Sequence, residues 1–73
     1  MDWQDYIEQR AGVMLGKPVF KGTRITVAHV LRELGNGMSV RGLLQGHPGL
    51  SAQHVFAAMS FAAEVIDLEH MLE

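Results

Sequence analysis

The stretch "GKPVFKGTRITVAHVL", residues Gly16 to Leu31, changes hydrophobic period halfway along, and that change limits what the chain can fold into. Up to Ile25 the apolar residues come in short groups separated by Gly16, Pro18 and Gly22, a pattern of brief extended segments joined by tight turns. From Thr26 onward Val27, Val30, Leu31 and Leu34 fall at i, i+3, i+4 and i+7, the stripe of an amphipathic helix. Pro18 has no backbone donor, so its strand must begin there or lie at an edge. Gly22 is expected to hold a positive φ that a side chain would penalise, and Thr26 offers the hydroxyl of a good N-cap. The expected fold is mostly α, with a small amino-terminal strand or hairpin region ahead of the helices.

The remaining segments fill in that outline. Met1 to Arg10 admits two readings: a single turn capped by Asp2 and pinned by Trp3, Tyr6 and Ile7, or a short strand from Tyr6 to Glu8. Val13, Met14 and Leu15 read as a further extended segment. "GNG" at Gly35 to Gly37 supplies a left-handed stop for the first helix. A two-turn helix opens at Ser39, buries Val40, Leu43 and Leu44, and ends at "GHPG", Gly46 to Gly49. Ser51 caps a third helix from Ala52 to about Met71. On it Val55, Met59, Ala62 and Ile66 share one face, assigned to the core. Phe61, Val65, Leu68 and Leu72 form a second stripe, either a dimer or partner surface or a packing face for the amino-terminal strands.

With 73 residues there is room for one domain and one core. Such a core usually yields roughly 3–5 kcal/mol of net stability, and small chains tend to add disulfides, a metal or a partner chain. There is no cysteine, and 48% of the residues are hydrophobic, so self-association is the expected way to hide the excess. No apolar run approaches the ~20 residues of a membrane span, and "MDWQDYIEQR" is acidic where a signal peptide is basic. A cytoplasmic protein with no membrane partner is expected. The formal net charge of -2 is unevenly spread. Lys17, Lys21, Arg24, Arg32 and Arg41 make the middle basic, and Glu64, Asp67, Glu69 and Glu73 make the tail acidic.

No arrangement in the sequence points to catalysis. His29, His47, His54 and His70 show neither HxH nor HExxH spacing and read as surface histidines; His47 and His54 flank one turn and could come close, a metal between them being the residual alternative. "GKP" at Gly16 lacks the remainder of a phosphate loop, and the carboxylates of the third helix read as a solvated face. No enzyme, cofactor or metal is expected. The short helix, tight turn and long helix have the proportions of a helix-turn-helix unit. In that reading Ser51, Gln53, His54 and Ala57 face a DNA groove, Gln53 being suited to adenine. Phosphate neutralisation would fall to Lys17, Lys21, Arg24, Arg32 or Arg41.

"GKPVFKGTRITV" followed by a helix, "GMS" at Gly37 to Ser39, "HPGLS" at His47 to Ser51 and "AAMSFAAEVI" at Ala57 to Ile66 together resemble the bacterial and archaeal family called domain of unknown function 433. The resemblance runs from about Tyr6 to Leu68. Its most specific part is carried by Gly16, Pro18, Val19, Gly22, Thr23 and Arg24. It implies a homeodomain-like three-helix bundle, with residues 26–73 helical and residues 1–25 a strand-rich dimerisation arm in which Val19, Phe20 and Ile25 join the partner surface. It tips Tyr6 to Glu8 toward strand. Arg24 would stand at the strand-to-helix junction, fixing the turn by a hydrogen bond or ion pair, or touching DNA or a toxin. Ala11, Leu15 and Thr26 depart from the family pattern, Leu15 standing where a second glycine is common.

By that resemblance the chain would be a homodimeric or higher oligomeric antitoxin of the VapB type, binding a PIN-like ribonuclease toxin and its own promoter. A stand-alone helix-turn-helix regulator and an oligomeric interaction module without DNA are the alternatives.

Overall fold

The computed structural model describes residues 1–71, with side chains through Glu69. Asp2 caps a single 3-10 turn over Trp3–Asp5, its carboxylate accepting the Gln4 N–H at 3.2 Å. Strand β1, Ile7–Glu8, follows at once, so both readings of the first ten residues hold in succession. β1 pairs antiparallel with β2, Val19–Phe20, in the register Ile7 to Phe20 and Glu8 to Val19. Three α-helices complete the described residues: α1, Val27–Gly35; α2, Val40–Gly46; and α3, Ala52–Met71.

The turn after β2 is held by Thr23. Its hydroxyl donates to the Phe20 carbonyl at 2.8 Å and accepts from the Ile25 N–H at 3.0 Å, while Gly22 takes φ +76°. The Phe20 N–H then reaches the Ile25 carbonyl, and the Val27 N–H reaches the Pro18 carbonyl, each at 3.0 Å. Strand and helix are thus tied where the hydrophobic period changes. Pro18 precedes β2, where its missing donor costs nothing. Arg24 does not fix this turn. Its side chain is exposed and makes no ion pair among the described residues, because the Thr23 hydroxyl already satisfies the local backbone.

Helix ends follow their local chemistry. Thr26 and Ser39 accept the N–H groups of His29 and Gly42, each at 3.0 Å, as N-caps do. At the end of α1 the Gly37 N–H bonds Leu34 and the Met38 N–H bonds Glu33, with Gly37 at φ +99°. These are the two bonds of a Schellman stop.

Val13 to Leu15 is not a strand. Met14 and Leu15 hold φ of 48° and 58°, and Gly16 follows at 77°, so the chain makes a left-handed turn there. Leu15 is 94% exposed. The apolar run forms a corner, not a strand: Val13 is half-buried, while Met14 and Leu15 are exposed. Left-handed backbone costs an L-residue roughly 1–2 kcal/mol, and glycine loses part of that relief to its own unfolded-state entropy. Leu15→Gly is therefore expected to stabilise the fold by about 0.5–1 kcal/mol. A urea titration followed by Trp3 fluorescence checks this, and a lower midpoint would refute the strain.

The core lies where the β pair, α1 and α2 meet the first half of α3. Ile7, Phe20, Val27, Val30, Leu43, Leu50, Val55, Ala57 and Ala58 form it, with Val19 also fully buried. Val19 and Phe20 therefore cannot belong to a dimer surface; both side chains are fully buried within their own chain. Met59, 47% exposed, and Ile66, 53% exposed, are likewise outside the core to which the sequence assigned them. The buried face of α3 runs instead through Val55, Ala58 and, half-buried, Phe61 and Ala62. From Ala63 to Glu69 every residue is exposed. A helix of this length spans about 30 Å. No described helix is long and apolar enough to cross a membrane.

Candidate functional site

The exposed second half of α3 is not featureless. Together with α1 it walls a groove of about 240 Å³, with Pro18, Val27, Ala28 and Leu31 on one side and Phe61, Ala62, Val65 and Ile66 on the other. Two of its lining residues, Ala28 and Ala62, are small. The charged residues of this part of α3, Glu64, Asp67 and Glu69, do not line it. Leu68, 55% exposed, extends the apolar surface past the groove.

Of the expected partner stripe, Val65 lines the groove and Leu68 lies exposed beyond it, while Leu72 falls outside the described residues. Phe61 is only partly available. Its ring meets Trp3 edge-on at 4.8 Å, and the Trp3 indole N–H donates to Glu64, so the amino-terminal turn docks on α3 here. Phe61 thus packs on the amino-terminal segment, while Val65 and Leu68 stay exposed. Ile25 is half-buried and lies in a different cleft.

The residues proposed for DNA are not gathered into one face by any described contact. Lys17, Lys21, Arg24, Arg41, Ser51 and Gln53 are exposed. Ala57 is fully buried and cannot face a groove. His54 is turned inward as well. Its ring meets Tyr6 at 5.2 Å and Phe20 at 5.5 Å, and its Nδ1 accepts the Ser51 N–H at 3.0 Å. This is the reach-back half of a capping box, with a histidine in place of the usual Glu or Gln; the His54 N–H bonds the Ser51 carbonyl, not its hydroxyl. Phe56, not His54 or Ala57, is the exposed neighbour of Gln53 on α3.

Burial pushes the His54 imidazole below its usual value near 6.5. The sign follows from linkage: the folded chain favours neutral His54, so its contribution to stability is complete above the unfolded value near 6.5. As pH falls below that value only the unfolded chain takes up the proton, and the contribution is gone once pH has passed the folded value. His54→Gln keeps a reach-back acceptor without the titration. The variant should lose less stability than the parent between pH 7.5 and 5.5 in urea titrations, and equal losses would overturn the assignment.

His47 does not approach His54. It closes α2 as its C-cap and turns toward α1, where it and His29 flank Glu33. Two of the three were legible, since His29 and Glu33 are four apart on a helix. His47 is distant in sequence and joins them only through the packing of α2 on α1.

Comparison with known proteins adds the family. The family model described as protein of unknown function (DUF433) matches residues 7–62. The crystal structure of a DUF433 member protein from Anabaena variabilis superposes with a TM-score of 0.78 at 32% identity, covering 90% of this chain and 68% of that one. No curated protein matches the chain.

Proposed function

The chain belongs to the family described as protein of unknown function (DUF433), and from that membership we propose that it is the antitoxin-like member of a bacterial toxin–antitoxin pair. Its partner is a PIN-like ribonuclease, held without catalysis by this chain, which acts as a homodimer. The observation that carries the reading is the apolar groove between α1 and α3, continued by Leu68. Short helical segments without tertiary cover are marginal in water. The α3 segment from Ala63 onward, exposed throughout its described side chains, is suited to cover by a second protein. A specific interface buries about 800 Å² per partner, more than the groove alone offers, so the contact must extend along α3.

The test is growth of cells expressing the neighbouring reading frame alone and together with this protein. Toxicity that the protein relieves supports the reading. A harmless neighbour, or toxicity left unrelieved, removes it.

A second reading, promoter binding through a homeodomain-like helix-turn-helix, draws support from the exposed Lys17, Lys21, Arg24 and Arg41 and from Gln53 on the first turn of α3. Four phosphate contacts give a slope of log K against log salt of about -3.6. Titration of upstream DNA between 50 and 200 mM salt, on the order of the range where such losses are steep, measures it; a flat response would exclude this reading.

A further inference from the structure

We infer that His29, Glu33 and His47 form a binding site for a zinc-like divalent transition-metal ion. Glu33 Oε1 lies 2.6 Å from His29 Nε2 and 3.1 Å from His47 Nε2. One donor atom from each of the three residues falls within 4.8 Å of the others. Around a tetrahedral ion with bonds of about 2.0–2.1 Å, donor atoms stand roughly 3.3 Å apart, so the observed spacings bracket what the ion needs. Small rotations of the three side chains would admit it.

The orientation of the rings agrees. They stand 89° apart with centroids at 5.6 Å, edge to face; both Nε2 atoms lie near one carboxylate oxygen, that of His47 in hydrogen-bonding geometry. The supports are rigid as well. His29 and Glu33 sit one turn apart on α1, and His47 is fixed on both sides, its N–H bonded to Leu43 at 3.1 Å and its carbonyl accepting from Leu50 at 2.9 Å. Leu43 and Leu50 are core residues. Glu33 and His47 are mostly shielded, their side chains 24% and 21% exposed.

The site also has an open side. His29 and His47 line a cleft of about 320 Å³ with Met14, Arg24, Ile25 and Thr26, which leaves room for a fourth ligand. A dication with the Glu33 carboxylate keeps one positive charge, and Arg24 adds another at the cleft, so an anion suits that position. Imidazole and carboxylate together select zinc, cobalt or nickel over magnesium and calcium, which prefer oxygen donors alone. The ion would clasp α1 to the α2–α3 turn. Such a clasp supplies what a small, cysteine-free core otherwise lacks.

The test uses the full chain, free of tags and stripped of metal, titrated with zinc chloride by calorimetry and with cobalt chloride by visible absorption. One zinc per chain is expected, with Tm raised on the order of 10 °C at a hundredfold excess over Kd. His29→Ala and His47→Ala should each weaken binding by at least about a hundredfold, beyond the loss of an outer-shell partner. Circular dichroism of the metal-free variants establishes that they fold; Glu33→Gln, which keeps a hydrogen-bond acceptor, serves if either does not. No zinc-dependent rise in Tm, binding that survives both histidine variants, or an equal response to magnesium would each overturn the site and leave a hydrogen-bonded His–Glu–His clasp.

Discussion

Phe20→Ala is expected to unfold the chain. Truncating a buried phenylalanine costs about 3–5 kcal/mol, and a core of this size holds roughly that much net stability. Phe20 is fully buried, pairs across the sheet with Ile7 and packs against the His54 ring. Its loss therefore opens the contact between the β pair and α3. The far-UV circular dichroism of the variant should lack a cooperative thermal transition near that of the parent. A variant that melts cooperatively but no longer self-associates would instead return Phe20 to a dimer surface.

Ile66→Asp has the opposite signature. Ile66 is half-exposed and lines the α1–α3 groove, so a carboxylate there remains hydrated in the free chain. Stability should change by no more than about 0.5 kcal/mol, the usual range for surface substitutions. Partner binding is another matter. An apolar residue central to an interface is worth about 2 kcal/mol or more, which corresponds to roughly a thirtyfold rise in Kd. The same reasoning applies to Leu68→Asp. Calorimetry with the purified toxin, alongside urea titrations of the variants, separates the two effects. Unfolding of Ile66→Asp would mean that the second half of α3 is core after all, and the groove would lose its place in the proposed function.

These two variants contrast because the sequence ranks the two residues the wrong way round. Phe20 stands in a short strand of the kind that extends a sheet to a second chain, and Ile66 shares a helical face with Val55. Hydrophobicity alone favours Met59 and Ile66 over Ala57 and Ala58 for the interior of α3. The structure buries the alanines because they lie on the first half of α3, where Val55 is buried as well, whereas Met59 faces outward and Ile66 lies on the exposed second half. Periodicity reports which residues share a face. It does not report how closely another helix approaches that face, or where along a long helix the body ends.

What the sequence determined by itself is local and directional. The change of period at Thr26, the hydroxyl caps at Thr26 and Ser39, the glycines at 22 and 37 and the break at Gly46 to Gly49 act through backbone geometry and hydrogen bonds spanning a few residues. Each was legible before any contact was known, and with them the helix order and the family resemblance. Tertiary structure decided the rest. It turned Leu15 into an exposed left-handed corner, directed His54 into the interior, left the second half of α3 beside an open groove, and brought His47 to His29 and Glu33. Those outcomes depend on distances between segments remote in the chain, set by the volumes of side chains that meet only after folding.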